Sequence, residues 1–227
     1  MEAGDLYVIA TPIGNLEDIT LRALRILREE IQVVYCEDTR QTRKLLLHYG
    51  IDLPAYSIHA HTSSTKIQRA IQEIISGQNA AYMTDSGTPG VSDPGAALVA
   101  AARNEGIRVI PLPGPSALSA ILSITGFPGK EVIFGGFLSK KEGKRKKELQ
   151  KFSAFDGIIV VYESPYRITK LISAIHEVFP DAEMVIGREL SKIYEEVISG
   201  RVPDIMNNID SIILKGEFVI AINNRSK

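Results

Sequence analysis

The chain has 227 residues, with 26 Lys and Arg against 27 Asp and Glu for a net charge of −1, and 44% of its residues are hydrophobic. That length supports one large or two small buried cores, and the balance excludes a disordered or fibrous chain and a protein that coats nucleic acid through a broadly basic surface. The single cysteine, Cys36, excludes an internal disulfide and a multi-cysteine zinc centre, and no apolar run approaches the roughly 18 residues needed to span a bilayer.

Strand-like and helix-like runs alternate from the start. Leu6 to Ala10 reads as a short apolar strand, and Ile19, Leu21, Leu24, Ile26 and Leu27 recur at helical spacing behind Asn15, Asp18 and Thr20. Val33 to Cys36 is a second strand, followed by the basic helix TRQTRKLLLHYG, which ends at Gly50 where a terminating glycine belongs. Ala55 to His59 (strand), Thr65 to Ser76 (helix) and Ala80 to Thr84 (strand) continue the rhythm. An alanine-rich helix from Ala96 to Glu105, a strand from Arg108 to Leu112 and a helix from Ser116 follow. Five strands with helices between them predict a mainly parallel five-stranded α/β sheet.

The second half reads differently. After Gly126-Phe127-Pro128-Gly129 the strand-like runs EVIFGGFL, GIIVVYES, AEMVIGREL, EEVISG and EFVIAIN have fewer helices between them. Two domains are therefore expected: 1–128, N-terminal α/β, and 129–227, a C-terminal mixed-sheet α+β domain. The acidic, polar start Met1 to Asp5 is unlike a signal peptide, so the expected location is the cytoplasm, with no membrane partner.

In open α/β sheets ligands bind beyond the carboxyl ends of the strands. Three loops there are unusual: Thr11-Pro12-Ile13-Gly14-Asn15, the twelve residues TDSGTPGVSDPG at 84–95, and Pro111-Leu112-Pro113-Gly114-Pro115-Ser116. Glycine lets backbone approach a ligand and proline stiffens the path, so three such loops on one rim predict a pocket. The chain lacks the dinucleotide G-x-G-x-x-G, the phosphate-binding G-x-x-x-x-G-K-[ST], H-E-x-x-H and G-x-S-x-G. No metal is expected, since His59 and His61 have no evident further ligands. A glycine- and proline-rich rim with few charges suits a ligand of modest net charge, and S-adenosylmethionine fits better than a triphosphate.

The blocks TPIGNLEDIT (11–20), CEDTR (36–40), TDSGTPGVSDPG (84–95), PLPGPSALSA (111–120), YESPYR (162–167), RELSKIYEE (188–196) and KGEFVI (215–220) together resemble the tetrapyrrole methylase family, and within it the branch that acts on ribosomal RNA. The resemblance implies a two-domain tetrapyrrole-methylase-like fold, usually a homodimer, with S-adenosylmethionine in the cleft between the domains. It also implies methyl transfer to the 2′-hydroxyl of a cytidine in the decoding centre of 16S rRNA, with the 30S subunit as partner. Carried over residue by residue, it places the cofactor against Pro12, Ile13, Asp85, Gly87, Thr88, Val91, Ser92, Ser116 and Ala117, with Tyr162, Leu190 and Ala221 closing over the adenine. Thr88 stands where porphyrin and corrin methylases carry an aspartate, which disfavours a tetrapyrrole substrate. Longer members of the RNA branch continue past KGEFVI with a helical segment, whereas this sequence stops at Lys227.

Transfer to a ribose hydroxyl needs a proton acceptor, and Glu37, Asp38, Asp85 and Glu163 each end a predicted strand on the presumed active rim. Two have ready structural alternatives: Asp38 as a helix cap and Glu163 as a partner of Arg167. Arg40, Arg43 and Lys44 follow CEDTR on one helix, and Lys140, Lys141, Lys144, Arg145 and Lys147 lie in the basic run KKEGKRKKELQK. Both groups are expected to grip RNA phosphates around a flipped-out cytidine. Two alternatives stay open: a small-molecule methylase using the same pocket, and a non-catalytic ribosome-associated cofactor-binding protein.

Overall fold

The computed structural model describes residues 2–59, 62–91, 95–129 and 131–224. Its contacts divide the chain into two compact units, Met1–Ser116 and Ala117–Lys227.

In the first unit β1 (Leu6–Ile9), β2 (Val33–Cys36), β3 (Ala55–Ser57), β4 (Ala80–Met83) and β5 (Val109–Leu112) form one parallel sheet in the order β3-β2-β4-β1-β5. β2 and β4 are buried along their whole length, as expected of parallel strands covered on both faces. Alternate residues serve opposite faces. Tyr7, Ile9, Val34, Cys36, Ala81 and Met83 pack with Ile26 and Leu27 of α1 (Leu21–Glu29) and Leu45 and Leu46 of α2 (Thr39–His48). Leu6, Val33, Tyr35, Ala80 and Tyr82 pack with Ile71 and Ile74 of α3 (Ser64–Ile75) and Leu98 and Ala102 of α4 (Ala96–Asn104).

Local chemistry sets the helix ends. The Thr20 hydroxyl accepts the Ala23 N–H at 3.1 Å to start α1, and Asp38 accepts the Arg40 N–H at 2.8 Å to start α2. Gly50, with φ +65°, turns the chain out of α2. The chain leaves β1 and β2 for helices on one face and leaves β4 for a helix on the other. β4 therefore has a reversal of winding on both sides, between its two neighbours, where the departing loops part and leave room for a ligand.

The second unit contains α5 (Ala117–Thr125), β6 (Val132–Phe137), α6 (Glu142–Phe152), β7 (Gly157–Glu163), α7 (Ile168–Val178), β8 (Glu183–Arg188), β9 (Glu196–Arg201), α8 (Val202–Asn207) and β10 (Phe218–Asn224). Its sheet runs β6-β7-β10-β8-β9, parallel only between β6 and β7. Ile159, Val161, Met184, Ile186, Ile220 and Ile222 bury one face under α6, α7 and α8. α5 lies against β8 and β10, and its buried Ile121 is not part of that cluster, which places it on the opposite face. The division of the chain accordingly falls after Ser116, ahead of the boundary near residue 128 suggested by the Gly-Phe-Pro-Gly punctuation. Among the described residues no helix is long and apolar enough to cross a membrane.

Glu163 ends β7 on the α7 side, fully buried. Its Oε1 accepts the Ser164 N–H at 2.7 Å and lies 2.6 Å from an Arg167 guanidinium nitrogen, while Oε2 is buried with no hydrogen-bond partner. Arg167 also donates to the Leu138 carbonyl at 3.3 Å, so the pair ties β7 to the start of α7 and the end of β6. Glu163→Gln, which keeps the shape and removes the charge, is expected to lower unfolding free energy by about 3 kcal/mol in denaturant melts, because it leaves a largely enclosed guanidinium uncompensated.

Candidate active site

The loops leaving β1, β2, β4 and β5 are stitched together at the carboxyl edge of the first sheet. Thr11 and Gly87 exchange both backbone hydrogen bonds at 3.0 Å, joining the β1 loop to the β4 loop. The buried Thr11 hydroxyl donates to the Thr84 carbonyl at 3.1 Å, and the Thr84 hydroxyl donates to the Gly87 carbonyl at 2.9 Å. On the far side, Thr88 donates through Oγ1 to the Pro115 carbonyl at 2.9 Å, bringing in the β5 loop. Towards β2, Asp85 Oδ1 accepts the Asp38 N–H at 3.0 Å. The β4 loop is thus pinned to its neighbours across both windings of the sheet.

Glycine is needed at two places in this cradle. Gly87 has φ +83°, and a Cβ there would stand 3.4 Å from Ile13 Cγ2. At Gly114 a Cβ would stand 3.0 Å from Ala10 Cβ, so a side chain there would push the β5 loop and the end of β1 apart. Pro12 is buried, Ile13, Thr88, Val91 and Ser116 are half-buried, and none carries a charge. Of the expected cofactor residues in this unit, Pro12, Ile13, Asp85, Gly87, Thr88 and Val91 fall on the β1 and β4 loops and Ser116 closes the β5 loop. Ser92 lies outside the described residues.

The second unit gathers its own set. Tyr162 pairs with Val219, Val219 with Gly187, and Ala221 with Val160 and Val185, all on the sheet face opposite the α6–α8 core. Leu190 folds back over Gly187, where any Cβ would meet its side chain at 2.9 Å. Tyr162 stacks edge-on against Phe134 and Phe137 at centroid distances of 4.9 and 5.6 Å. Ala117 opens α5 on the same face.

The four carboxylates expected at strand ends separate by environment. Glu163 is buried beneath the second sheet and committed to Arg167, which removes it from the rim. Glu37 is half-buried just after β2. Asp38 is bound by Arg40 through Nε at 3.1 Å and Nη2 at 2.6 Å, and these bonds together with its cap on α2 hold its pKa down to about 2. Asp85, although exposed at the surface, is shifted the other way: partial loss of water around its carboxyl raises its pKa and the negative charge of Asp38 adds to the rise, against the opposing pull of the Asp38 N–H. Two neighbouring carboxyls whose environments push them apart are the usual signature of divided acid–base roles. Burial pushes the Cys36 thiol up, away from the reactive thiolate.

The basic residues also sort themselves. Arg43 and Lys44 are exposed on the same turn of α2 as Arg40, whose guanidinium is engaged by Asp38. Lys140, Lys141, Lys144 and Lys147 are exposed at the start of α6. Arg145 is buried, only 3% exposed, with Nε unpartnered; it shares a stripe with Leu149 and Phe152 at helical spacing and faces the core, not solvent. Its expected role on a phosphate-binding surface is corrected by that burial. Among the described residues no three His, Cys, Asp or Glu side chains converge on a metal position; His61 lies outside them. A separate hollow of about 870 Å³ opens between α4 and β5, but its lining includes none of the expected cofactor residues.

Thr11 and Thr84 were not among the expected site residues, although each immediately follows an apolar strand. A buried hydroxyl at a strand's carboxyl end, where the ladder stops and the chain turns, is the signal that marks them.

The fold and the cradle at its strand ends define a class, and the comparisons with known proteins agree. Residues 5–206 match the family model for tetrapyrrole (corrin/porphyrin) methylases, and the chain belongs to that family. It is 42% identical over 227 residues to the ribosomal RNA small subunit methyltransferase I of Leptospira biflexa, covering 100% of this chain and 93% of that one. It is 42% identical over 223 residues to the protein of the same name from Borrelia garinii, covering 97% and 99%. The relative from Xylella fastidiosa strain Temecula1 is covered over 81% of its length, so proteins of this name differ in length outside the shared region. Among solved structures, cobalt precorrin-4 methyltransferase aligns with TM-score 0.70 at 17% identity over 96% of this chain and 94% of that one. A uroporphyrin-III C-methyltransferase from Thermus thermophilus, complexed with S-adenyl homocysteine, aligns with TM-score 0.64 at 17% identity over 96% and 97%.

Proposed function

We infer that this chain is an S-adenosylmethionine-dependent methyltransferase acting on small-subunit ribosomal RNA, and we propose that its target is the 2′-hydroxyl of a cytidine in the decoding centre of 16S rRNA. The supporting observation is the pinned β4 loop. Gly87, itself buried, holds this loop against uncharged Pro12, Ile13, Thr88, Val91 and Ser116, a lining suited to the adenosine and thioether portions of this cofactor and unsuited to a polyphosphate. Near-40% identity to proteins named for that activity supports the RNA substrate.

The cofactor supplies an electrophilic methyl group on a sulfonium. The protein's task is to orient the ribose oxygen in line and to accept its proton. Asp85 is the proposed acceptor. It stands at the end of β4, is held in place by the Asp38 N–H, and is more basic than an ordinary aspartate. Asp38, tied to Arg40 and capping α2, positions it. The enzyme works in the cytoplasm as a homodimer, as the family resemblance implies.

Exposed Lys140, Lys141, Lys144 and Lys147, with Arg43 and Lys44, are the proposed phosphate contacts. Replacing Lys140, Lys144 and Lys147 together by alanine is expected to flatten the log–log salt dependence of RNA binding by about 2, since each neutralised phosphate contributes roughly 0.7–0.9. Filter binding across a salt series measures this, and an unchanged slope removes α6 from the interface.

The function itself is tested by tritiated methyl transfer to 30S subunits and to 16S rRNA from cells lacking the modification, followed by primer extension at low nucleotide concentration. Label at a single ribose that stalls extension is the expected result. No transfer to either substrate overturns the RNA reading, and label on a base overturns the 2′-hydroxyl.

A further inference from the structure

A second recess lies in the first unit, between β3 and α3. It encloses about 250 Å³ and is lined chiefly by Tyr35, Tyr56, Ser57, Lys66, Arg69 and Glu73. Tyr35 is buried and donates through its hydroxyl to Glu73 Oε2 at 2.6 Å, and the other oxygen of Glu73 takes Arg69 Nε at 3.2 Å. The one carboxylate of the recess is thus engaged at both oxygens. Lys66 is exposed, and the Arg69 side chain is 81% exposed, so the lip of the recess presents positive charge. Tyr56 is 54% exposed, with its ring 6.3 Å from the Tyr35 ring and tilted 35° to it.

β3 is the terminal strand of the sheet, so its outer side carries backbone donors and acceptors outside any ladder. An exposed aromatic face, two cations and the main-chain polar groups of a sheet edge around a cavity of this size match a planar base carrying a phosphate, not an apolar peptide side chain. β3 lies two strand steps from β4, roughly 10 Å at the usual spacing between neighbouring strands. A chain of nucleotides crossing the carboxyl edge of the sheet reaches both.

We propose that this recess is a stacking platform for a nucleotide flanking the modified one, with its base on Tyr56 and its phosphate between Lys66 and Arg69. The proposal rests on the RNA reading above and names a binding subsite for that substrate. Because Tyr56 is half-exposed on an edge strand, Tyr56→Ala is expected to fold normally, and Tyr56→Phe keeps the ring.

The test compares wild type, Tyr56→Ala, Tyr56→Phe and Lys66→Ala in methyl transfer to 30S subunits and in direct binding to single-stranded oligocytidylate. For Tyr56→Ala the expected results are a KM for 30S subunits and a Kd for the oligonucleotide each raised roughly 10-fold. Its kcat and its affinity for S-adenosylmethionine stay unchanged, and Tyr56→Phe remains within about 2-fold of wild type. Lys66→Ala is expected to lower the salt slope of binding by about 1. Oligocytidylate binding equal in Tyr56→Ala and wild type overturns the platform, as does a Tyr56→Phe defect as large as that of Tyr56→Ala. Cytidine monophosphate bound as tightly as the oligonucleotide assigns the recess to a free nucleotide and also overturns it. Wild-type protein that binds oligocytidylate through Tyr56 but methylates no ribosomal RNA overturns the function proposed above and leaves the platform standing.

Discussion

Gly87→Val is expected to weaken S-adenosylmethionine binding by roughly 100-fold, about 2.8 kcal/mol of lost binding free energy. Gly87→Ala is expected to weaken it by about 10-fold. Residue 87 sits at φ +83°, where a side chain costs about 1–2 kcal/mol. Elsewhere the backbone relieves such strain by rotating. Here rotation breaks both bonds to Thr11, at 3.0 Å each, and the Thr84 hydroxyl bond at 2.9 Å. An alanine Cβ stands 3.4 Å from Ile13 and 3.7 Å from the Pro115 carbonyl, an ordinary contact, but the branches of valine press on both neighbouring loops. Gly50→Ala is the control: φ is +65° with no heavy atom within 4 Å of the new Cβ, so it carries the same backbone penalty away from the cradle. Calorimetric titration of the three variants, alongside denaturant melts, separates the two effects. Equal affinities in Gly87→Ala and Gly50→Ala refute the cradle.

The elements of the first unit were legible because each carries a local cause. Short apolar runs bounded by polar residues become β1 to β5, and Thr20, Asp38 and Gly50 mark helix ends through side-chain capping and glycine's backbone freedom. The three glycine-rich loops were legible for the same reason. What joins them was not. Asp38 meets Asp85 across 47 positions, and Tyr35 meets Glu73 across 38, pairings fixed only by the strand order β3-β2-β4-β1-β5.

In the sequence Arg145 reads as a surface cation because the lysines around it dominate the composition of the run. The spacing to Leu149 and Phe152 already marks a buried stripe, and a guanidinium on a long apolar stem can follow it inward. The contact-based division after Ser116, set beside the Gly-Phe-Pro-Gly punctuation near residue 128, has a similar origin. Gly126 and Pro128 do end α5, but whether a helix belongs to what precedes or follows it depends on the sheet it covers, and Ile121 covers β8 and β10.

Asp85→Asn is expected to lower kcat by about 10²–10⁴-fold, the usual range for loss of a general base, with cofactor affinity retained because asparagine Oδ1 still accepts the Asp38 N–H. In the wild type the acid limb of the pH–rate profile should lie above the ordinary aspartate value near 3.9, since partial desolvation and the charge of Asp38 raise this carboxyl, and the limb should vanish in the variant. The same shift predicts a stability effect of opposite sign. A carboxyl whose pKa is higher folded than unfolded binds more protons in the folded state, so its contribution to stability falls as pH rises from the unfolded value through the folded one. Asp85→Asn removes that loss: its Tm should exceed that of the wild type at pH 7, and the difference should shrink below about pH 4. Asp38→Asn behaves differently, because the backbone N–H that holds Asp85 remains and the new side chain still caps α2; its activity should stay within a few-fold of wild type. A carboxylate that is inactive when neutralised and costs stability when charged is what a proton acceptor at this site requires. An Asp85→Asn variant with wild-type kcat would remove Asp85 from the chemistry and leave Glu37 as the remaining rim carboxylate to test.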